Sequence, residues 1–256
     1  MLRLDKYLAD MGICTRSEAR KLLKCGFVTV NSKTEKDPSS KVDPDKDKVT
    51  FKGEELAYQE YFYYMLNKPA GCVSATRDGL SETVIEFLEG EPTRDLFPVG
   101  RLDKDTEGFL LVTNDGMLAH NLLSPRKHVT KTYYAYVDKS LSSIEIESFK
   151  TGLDIGDETP TLPAGIEELS NEEAKTFLEG ATALAMEDFN YAAAYRVILK
   201  EGRYHQIKRM FEHSGSHVTY LKRVSMGPLQ LDSSLKPGEY RQLTKEEVAE
   251  LQNANN

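Results

Sequence analysis

Gly100-Arg101-Leu102-Asp103-Lys104-Asp105-Thr106-Glu107-Gly108 stands between Phe97-Pro98-Val99 and the apolar run Phe109-Leu110-Leu111-Val112. The apolar run, with Thr113, has the length and composition of a buried strand. The segment before it crowds charges and two glycines into one loop, and loops anchored on rigid elements are where catalytic groups concentrate. A carboxylate beside Arg101 and Lys104 keeps its charge, because nearby cations favour the ionised form. Composition does not rank Asp103, Asp105 and Glu107, and the bland alternative is an ordinary charged turn.

Outward from this loop, strands are predicted at 61–66, 109–113, 131–137, 195–200 and 218–221. Helices are predicted at 81–88, 117–123, 144–150, 206–213 and 244–251, the last with Thr244 as its cap. The strands do not alternate regularly with helices. That pattern argues for an α+β fold with a mainly antiparallel sheet, against a doubly wound parallel sheet.

Residues 1–57 read as a separate small unit. Leu4, Tyr7, Leu8 and Met11 recur at helical spacing, with Gly12 as a stop. Thr15-Arg16-Ser17-Glu18 fits a capping box at the start of a second helix. Ala19, Leu22 and Leu23 form its buried stripe. Arg16, Arg20 and Lys24 line one exposed face, with Lys21 beside it. Two strands, 27–31 and 48–51, complete a compact module, and residues 58–61 form a linker to the larger unit, 62–256. A basic helix face is most often just solvated, but an N-terminal basic unit attached to a larger body also suits a tether to RNA.

Two further clusters carry chemistry. In Glu201-Gly202-Arg203-Tyr204-His205-Gln206-Ile207-Lys208-Arg209-Met210, a strand gives way to a helix with Ile207, Met210 and Phe211 on its core side. Arg203, Lys208 and Arg209 there can meet a carboxylate or a phosphate. His205, without a metal or nucleophile partner, suits a structural or RNA-contacting role better than that of a general base. The other cluster is Arg126-Lys127-His128 followed by Lys131-Thr132-Tyr133-Tyr134-Ala135-Tyr136-Val137. Tyrosines two apart on a strand share a face, so Tyr134 and Tyr136 point one way and Tyr133 the other. A tyrosine facing a pocket can stack on a base, worth ~1–3 kcal/mol; most strand tyrosines are only half-buried.

The chain has 256 residues, 39% apolar and 29% charged, with a net charge of −8. That composition suits a globular protein of one or two domains and excludes a disordered or fibrous one. The net charge disfavours a nucleic-acid partner only if taken whole. Residues 138–190 hold 13 acidic and 3 basic side chains, so the rest of the chain carries a slight positive excess. Local sign decides whether a phosphate backbone can approach, and the acidic segment is expected to face away from RNA. No apolar stretch is long enough to span a membrane, and Met1–Lys6 lacks the apolar core of a secretory signal. Cys14, Cys25 and Cys72 form neither a disulfide framework nor a zinc motif. A cytoplasmic protein is therefore expected. No Walker, Rossmann or HExxH motif occurs, so the expected reaction uses no metal and no cofactor.

Taken together, these motifs bring a family into view. Gly100-Arg101-Leu102-Asp103 followed by Thr106-x-Gly108-Phe109-Leu110-Leu111-Val112-Thr113-Asn114-Asp115-Gly116 resembles the signature of the RsuA-type bacterial ribosomal RNA pseudouridine synthases. Asn67-Lys68-Pro69-x-Gly71, Lys131-Thr132-Tyr133, Glu201–Met210 and Pro237-Gly238-Glu239-Tyr240-Arg241 resemble that family's other motifs, in order. Residues 2–53 resemble the S4-like RNA-binding domain these enzymes carry.

The resemblance implies an S4-like domain followed by a pseudouridine synthase domain on a mainly antiparallel mixed sheet. It implies isomerisation of uridine to pseudouridine in ribosomal RNA, most closely the small-subunit (16S) RNA or an assembly intermediate, by a cofactor-free monomer. Carried over, the catalytic residues are Asp103, Tyr133 and Lys208. Arg101, Arg126, Lys127, His128, Arg203, His205 and Arg209 are expected at the RNA, with Arg16, Arg20, Lys21 and Lys24 from the first domain. The target base must leave its stack to reach the aspartate. The alternatives are the same reaction on large-subunit RNA, a non-catalytic ribosome-assembly factor, and a glycoside hydrolase using Asp103 and Glu107. The last lacks aromatic sugar platforms of tryptophan, since the chain has none.

Overall fold

The computed structural model describes residues 1–88, 90–91, 95–179, 181 and 189–254. The chain divides into two compact units, Met1–Phe62 with Leu88–Leu96, and Tyr63–Phe87 with Phe97–Asn256. Among the described residues, no helix is long and apolar enough to cross a membrane.

In the first unit a short strand, Leu2–Arg3, paired with Lys41–Val42, leads into α1 (Leu4–Asp10) and α2 (Arg16–Lys24). The capping box forms as read: the Thr15 hydroxyl accepts from Glu18 N and the Glu18 carboxylate accepts from Thr15 N. Ala19 and Leu23 pack on Leu4, Tyr7, Leu8, Val28, Val42 and Val49, while Leu22, expected in the same buried stripe, is only half-buried. Arg16, Arg20, Lys21 and Lys24 are exposed. A four-stranded antiparallel sheet, in the order Lys33–Thr34, Val28–Val30, Val49–Phe51, Glu54–Glu55, backs the helices.

The second unit is built on one twisted sheet whose main path has seven strands: β1 (Tyr63–Lys68), β2 (Glu107–Thr113), β3 (Lys131–Val137), β4 (Gly165–Glu168), β5 (Ala193–Leu199), β6 (Val218–Met226) and β7 (Tyr240–Gln242). Their spatial order is β4-β5-β3-β6-β2-β1-β7. All neighbours on this path run antiparallel except β6 and β2, which are parallel over Lys222↔Glu107 and Arg223↔Gly108. The sheet is therefore mixed and mainly antiparallel.

β1 and β2 are buried along their full length, which is why both read as near-continuous apolar runs rather than alternating ones. Helices α3 (Gly116–Leu123) and α7 (Lys245–Asn253) cover them through Leu118, Leu122 and Leu251. Thr244 caps α7 with Glu247 as its box partner. Helix α6 (Gln206–His213) buries Ile207, Met210 and Phe211, with the Phe211 ring against Phe149 of α4 (Ser143–Thr151) and against Tyr195.

The predicted helix over 81–88 does not form; the segment is a run of turns. Thr83 instead bridges Val73, whose N–H donates to Glu82 O and whose carbonyl accepts from Val84 N. Glu86 accepts from Thr83 N and from the Thr83 hydroxyl, half of a helix-capping pattern, yet the chain continues only as turns. Conversely, the sequence reading did not foresee α5 (Asn171–Leu178). Its signal was legible: Ser170 and Glu173 form a capping box ahead of Ala174 and Leu178, which are buried.

Candidate active site

The Gly100–Gly108 loop enters β2, and segment 68–74 fixes it from behind. Lys68 is fully buried, and its ammonium donates to the carbonyls of Pro69 (3.0 Å), Lys104 (3.3 Å) and Thr106 (2.9 Å). Burial pushes its pKa down, with nearby carboxylates opposing. Gly71 N donates to Lys104 O at 2.7 Å. The Ser74 hydroxyl donates to Leu102 O and accepts from Leu102 N. The backbone on both sides of Asp103 is thus held by groups outside the loop, the support a reacting carboxylate needs.

Gly108 brings this loop against β6. Its φ is +101°, and a Cβ there would lie 2.1 Å from Arg223 O. Only glycine fits so close a backbone approach at that φ.

The N-terminus of α6 supplies the cation. Lys208, in its first turn, places Nζ 3.3 Å from Asp103 Oδ2 and 2.6 Å from Asp105 Oδ1. A cation at the positive end of a helix is unfavourable by itself; two carboxylates compensate. Burial works against the Lys208 ammonium, but Asp105 and then Asp103 outweigh it and hold its pKa above the usual lysine value. The surroundings of Asp105 oppose its ionisation, yet Lys208 holds its carboxyl below the usual range. His205, at φ +48° ahead of the helix, has Nε2 3.5 Å from Asp103 Oδ1 and stacks on the exposed ring of Tyr204.

Strand β3 supplies the aromatic side. Tyr133 pairs with Arg223 across β3 and β6 at a register shift between Thr132 and Tyr133. Tyr134 and Tyr136 point to the opposite face, where Tyr134 stacks on Phe177 and Tyr136 donates to Ala174 O. The division of tyrosine faces follows the strand period as expected.

Asp103, Tyr133 and Lys208 line one open cleft of about 820 Å³, together with Arg101, Arg203 and His205. The other residues singled out from sequence lie elsewhere. Arg126 and Lys127 form an exposed 3-10 turn with His128 after it, outside the cleft lining. Arg209 is also outside the lining. Arg16, Arg20, Lys21 and Lys24 belong to the other unit.

Arg203 and Arg209 are engaged within the chain. Arg203 donates to Glu201, Asp157 and the carbonyls of Thr159 and Pro160. Arg209 donates to Asp157 and the carbonyls of Ile155 and Tyr204. The acidic segment therefore does not turn wholly away: Asp157 bonds a cleft-lining arginine. Sequence could not show this, because the partners are some fifty positions apart.

Four further residues at the site were not singled out from sequence: Lys68 and Ser74, which hold the loop, and Lys131 and Arg223, which line the cleft. Lys131 was within reach, since it lies two before Tyr133 and so on its face. Lys68 belongs to the Asn67-Lys68-Pro69 motif, in which nothing local announces its three carbonyl partners. Ser74 and Arg223 carry no local signal.

Known proteins resemble this chain along most of its length. A family profile described as RNA pseudouridylate synthase matches residues 62–213, and one for the S4 domain matches residues 2–47. The chain is 44% identical over 248 residues to YtzG of Bacillus subtilis (strain 168), an uncharacterized RNA pseudouridine synthase, covering 96% of this chain and 97% of that protein. It is 36% identical over 252 residues to ribosomal small subunit pseudouridine synthase A of Escherichia coli (strain K12), covering 98% and 100%. A solved structure described as a pseudouridylate synthase has a TM-score of 0.64 at 34% identity, covering 98% of this chain and 100% of that one.

Proposed function

The chain belongs to the RNA pseudouridylate synthase family, and on that premise we propose that it isomerises uridine to pseudouridine in ribosomal RNA of the small subunit. The observation that carries the reading is the convergence of Asp103, Tyr133 and Lys208, from three distant segments, on one cleft. The relatives named for the small subunit support the choice of RNA.

In this reading Asp103 acts as the carboxylate at the ribose, either attacking C1′ or removing a ribose proton. Lys208 keeps it oriented. Tyr133 holds the detached base, which must first flip out of its stack. Arg101 is exposed on the cleft and has no hydrogen-bond or ion-pair partner in the described structure, so it suits a phosphate better than Arg203 or Arg209, whose guanidiniums bind the 155–160 segment. Residues 1–57 act as the RNA-binding domain, joined by 58–61 to a catalytic domain of 62–256, and raise affinity through effective concentration. The exposed Arg126-Lys127-His128 turn adds further contacts. The protein works as a cytoplasmic monomer without cofactor.

The test is release of tritium from C5-labelled uridine in small-subunit and large-subunit RNA, supplied separately and as partly assembled particles. Release from the small-subunit substrate alone supports the reading. Release only from large-subunit RNA moves the substrate. No release from any of them favours a non-catalytic assembly factor.

A further inference from the structure

Two buried cations face the cleft without a counter-ion. Lys131 is 7% exposed and Arg223 2% exposed, and both line the cleft beside Tyr133. The Lys131 ammonium donates to Val129 O at 2.9 Å. Arg223 Nε donates to Phe109 O at 2.7 Å. Neither forms an ion pair with a carboxylate in the described structure. Arg223 Nη2 is buried with no hydrogen-bond partner, and so is Thr106 Oγ1, which also belongs to a cleft-lining residue.

A structural role alone does not account for this pair. Buried charges are normally paired, because taking an ion out of water is expensive. Two like charges side by side make it worse. Desolvation first, then the charge of Arg223, push the Lys131 pKa down to about 8. An arrangement costly in the free protein and relieved by an incoming negative charge is that of a site complementary to a charge that develops during reaction.

We propose that Lys131 and Arg223 form a cationic floor beside Tyr133 that holds the detached pyrimidine ring as its anion. The proposal rests on the isomerase reading above. When the N1–C1′ bond breaks, its electron pair goes to the base, whose negative charge spreads over N1, O2 and O4. C5 then bonds to C1′, C5 gives up its proton and N1 gains one, so atoms and charge balance. This holds for either role of Asp103. The cleft walls favour a flat ring over a phosphate: Leu199, Ile207 and Leu221 flank the floor, and a phosphate would have to shed its water against them. Lys131 and Arg223 touch the reacting base and are catalytic residues in the strict sense.

The experiment uses the full chain and three probes: 5-nitrouracil, which is an anion at neutral pH, uracil, and inorganic phosphate. Binding is followed by calorimetric titration. The expected result is that 5-nitrouracil binds more tightly than uracil, and that Lys131→Met weakens 5-nitrouracil by about tenfold to a hundredfold while leaving uracil nearly unchanged. Lys131→Arg restores most of the loss, and Arg223→Lys, which keeps the charge in a strand that must still fold, weakens the same probe. Equal binding of 5-nitrouracil by the original chain and Lys131→Met overturns the inference. So does inorganic phosphate binding as tightly as 5-nitrouracil in the same titration. Tritium release from RNA is measured in parallel: its presence alongside a failed titration removes only the floor, whereas its absence from every RNA removes the isomerase reading.

Discussion

Lys208 Nζ lies 3.3 Å from Asp103 Oδ2 in a pair joined only by tertiary structure, with Asp105 nearer at 2.6 Å. The two aspartates compete for one ammonium. The side chain of Asp105 is 70% exposed and that of Asp103 only 25%, so the two have different access to substrate despite sharing a cation.

That difference ranks them. Asp103→Asn is expected to lower single-turnover tritium release by roughly four orders of magnitude, with RNA affinity retained in a filter-binding assay. Asp105→Asn is expected to stay within about tenfold of the original rate, since an exposed ion pair contributes little. Equal loss in both variants would refute the ranking.

Lys208→Met leaves two carboxylates facing each other without a cation. The rate should fall by about 10²–10³, the size seen when one preorganised electrostatic group is removed. Lys208→Arg should recover part of it. A Lys208→Met protein as active as the original would show that orientation by α6 is unnecessary.

Gly108→Ala drives a Cβ to within 2.1 Å of Arg223 O at a φ of +101°. A cost of about 3 kcal/mol or more is expected, read as a lower urea midpoint of the catalytic unit. Gly79→Ala is the control, because nothing lies within 4 Å of its Cβ position.

Lys131 sets an alkaline limit. As pH rises through about 8 it loses its proton, and single-turnover rate should fall with it. The charged group facing it is Arg223, which stays protonated. Stability moves the other way. The folded pKa lies below the unfolded one, so between about 8 and 10.5 the unfolded chain binds more protons and this lysine makes stability rise with pH. Lys131→Met should remove that increment from urea midpoints measured on both sides of the interval.

The basic face of α2 is tested apart from its structural role. Arg16 also bonds Asp5, whose side chain is only 9% exposed, so it is left intact. Charge reversal at Arg20, Lys21 and Lys24 should weaken RNA binding and flatten its salt dependence by roughly 0.9 in slope per lost phosphate contact. An unchanged slope removes this face from the RNA footprint.

Much of the fold was legible because its signals are local. The capping boxes at Thr15 and Thr244 act over three residues. The buried faces of α6 and β3 follow from periods of 3.6 and 2. Residues 81–88 have the composition of a helix, but Thr83 is drawn into a bridge with Val73, a partner no periodicity announces. The three carbonyls around Lys68 were hidden for the same reason.

The sequence by itself determined where chemistry could sit: three unranked carboxylates in a glycine-bounded loop, tyrosines sorted onto two strand faces, cations in the first turn of an amphipathic helix. Those properties depend on near neighbours in the chain. Only the tertiary structure decided which of them meet. It set Lys208 between Asp103 and Asp105, engaged Arg203 and Arg209 with Asp157, and placed Arg223 opposite Tyr133 through a register shift. Strand and helix periods say which face a side chain takes, but a partner across the sheet is chosen by register and loop closure, which arise only when distant segments pack together.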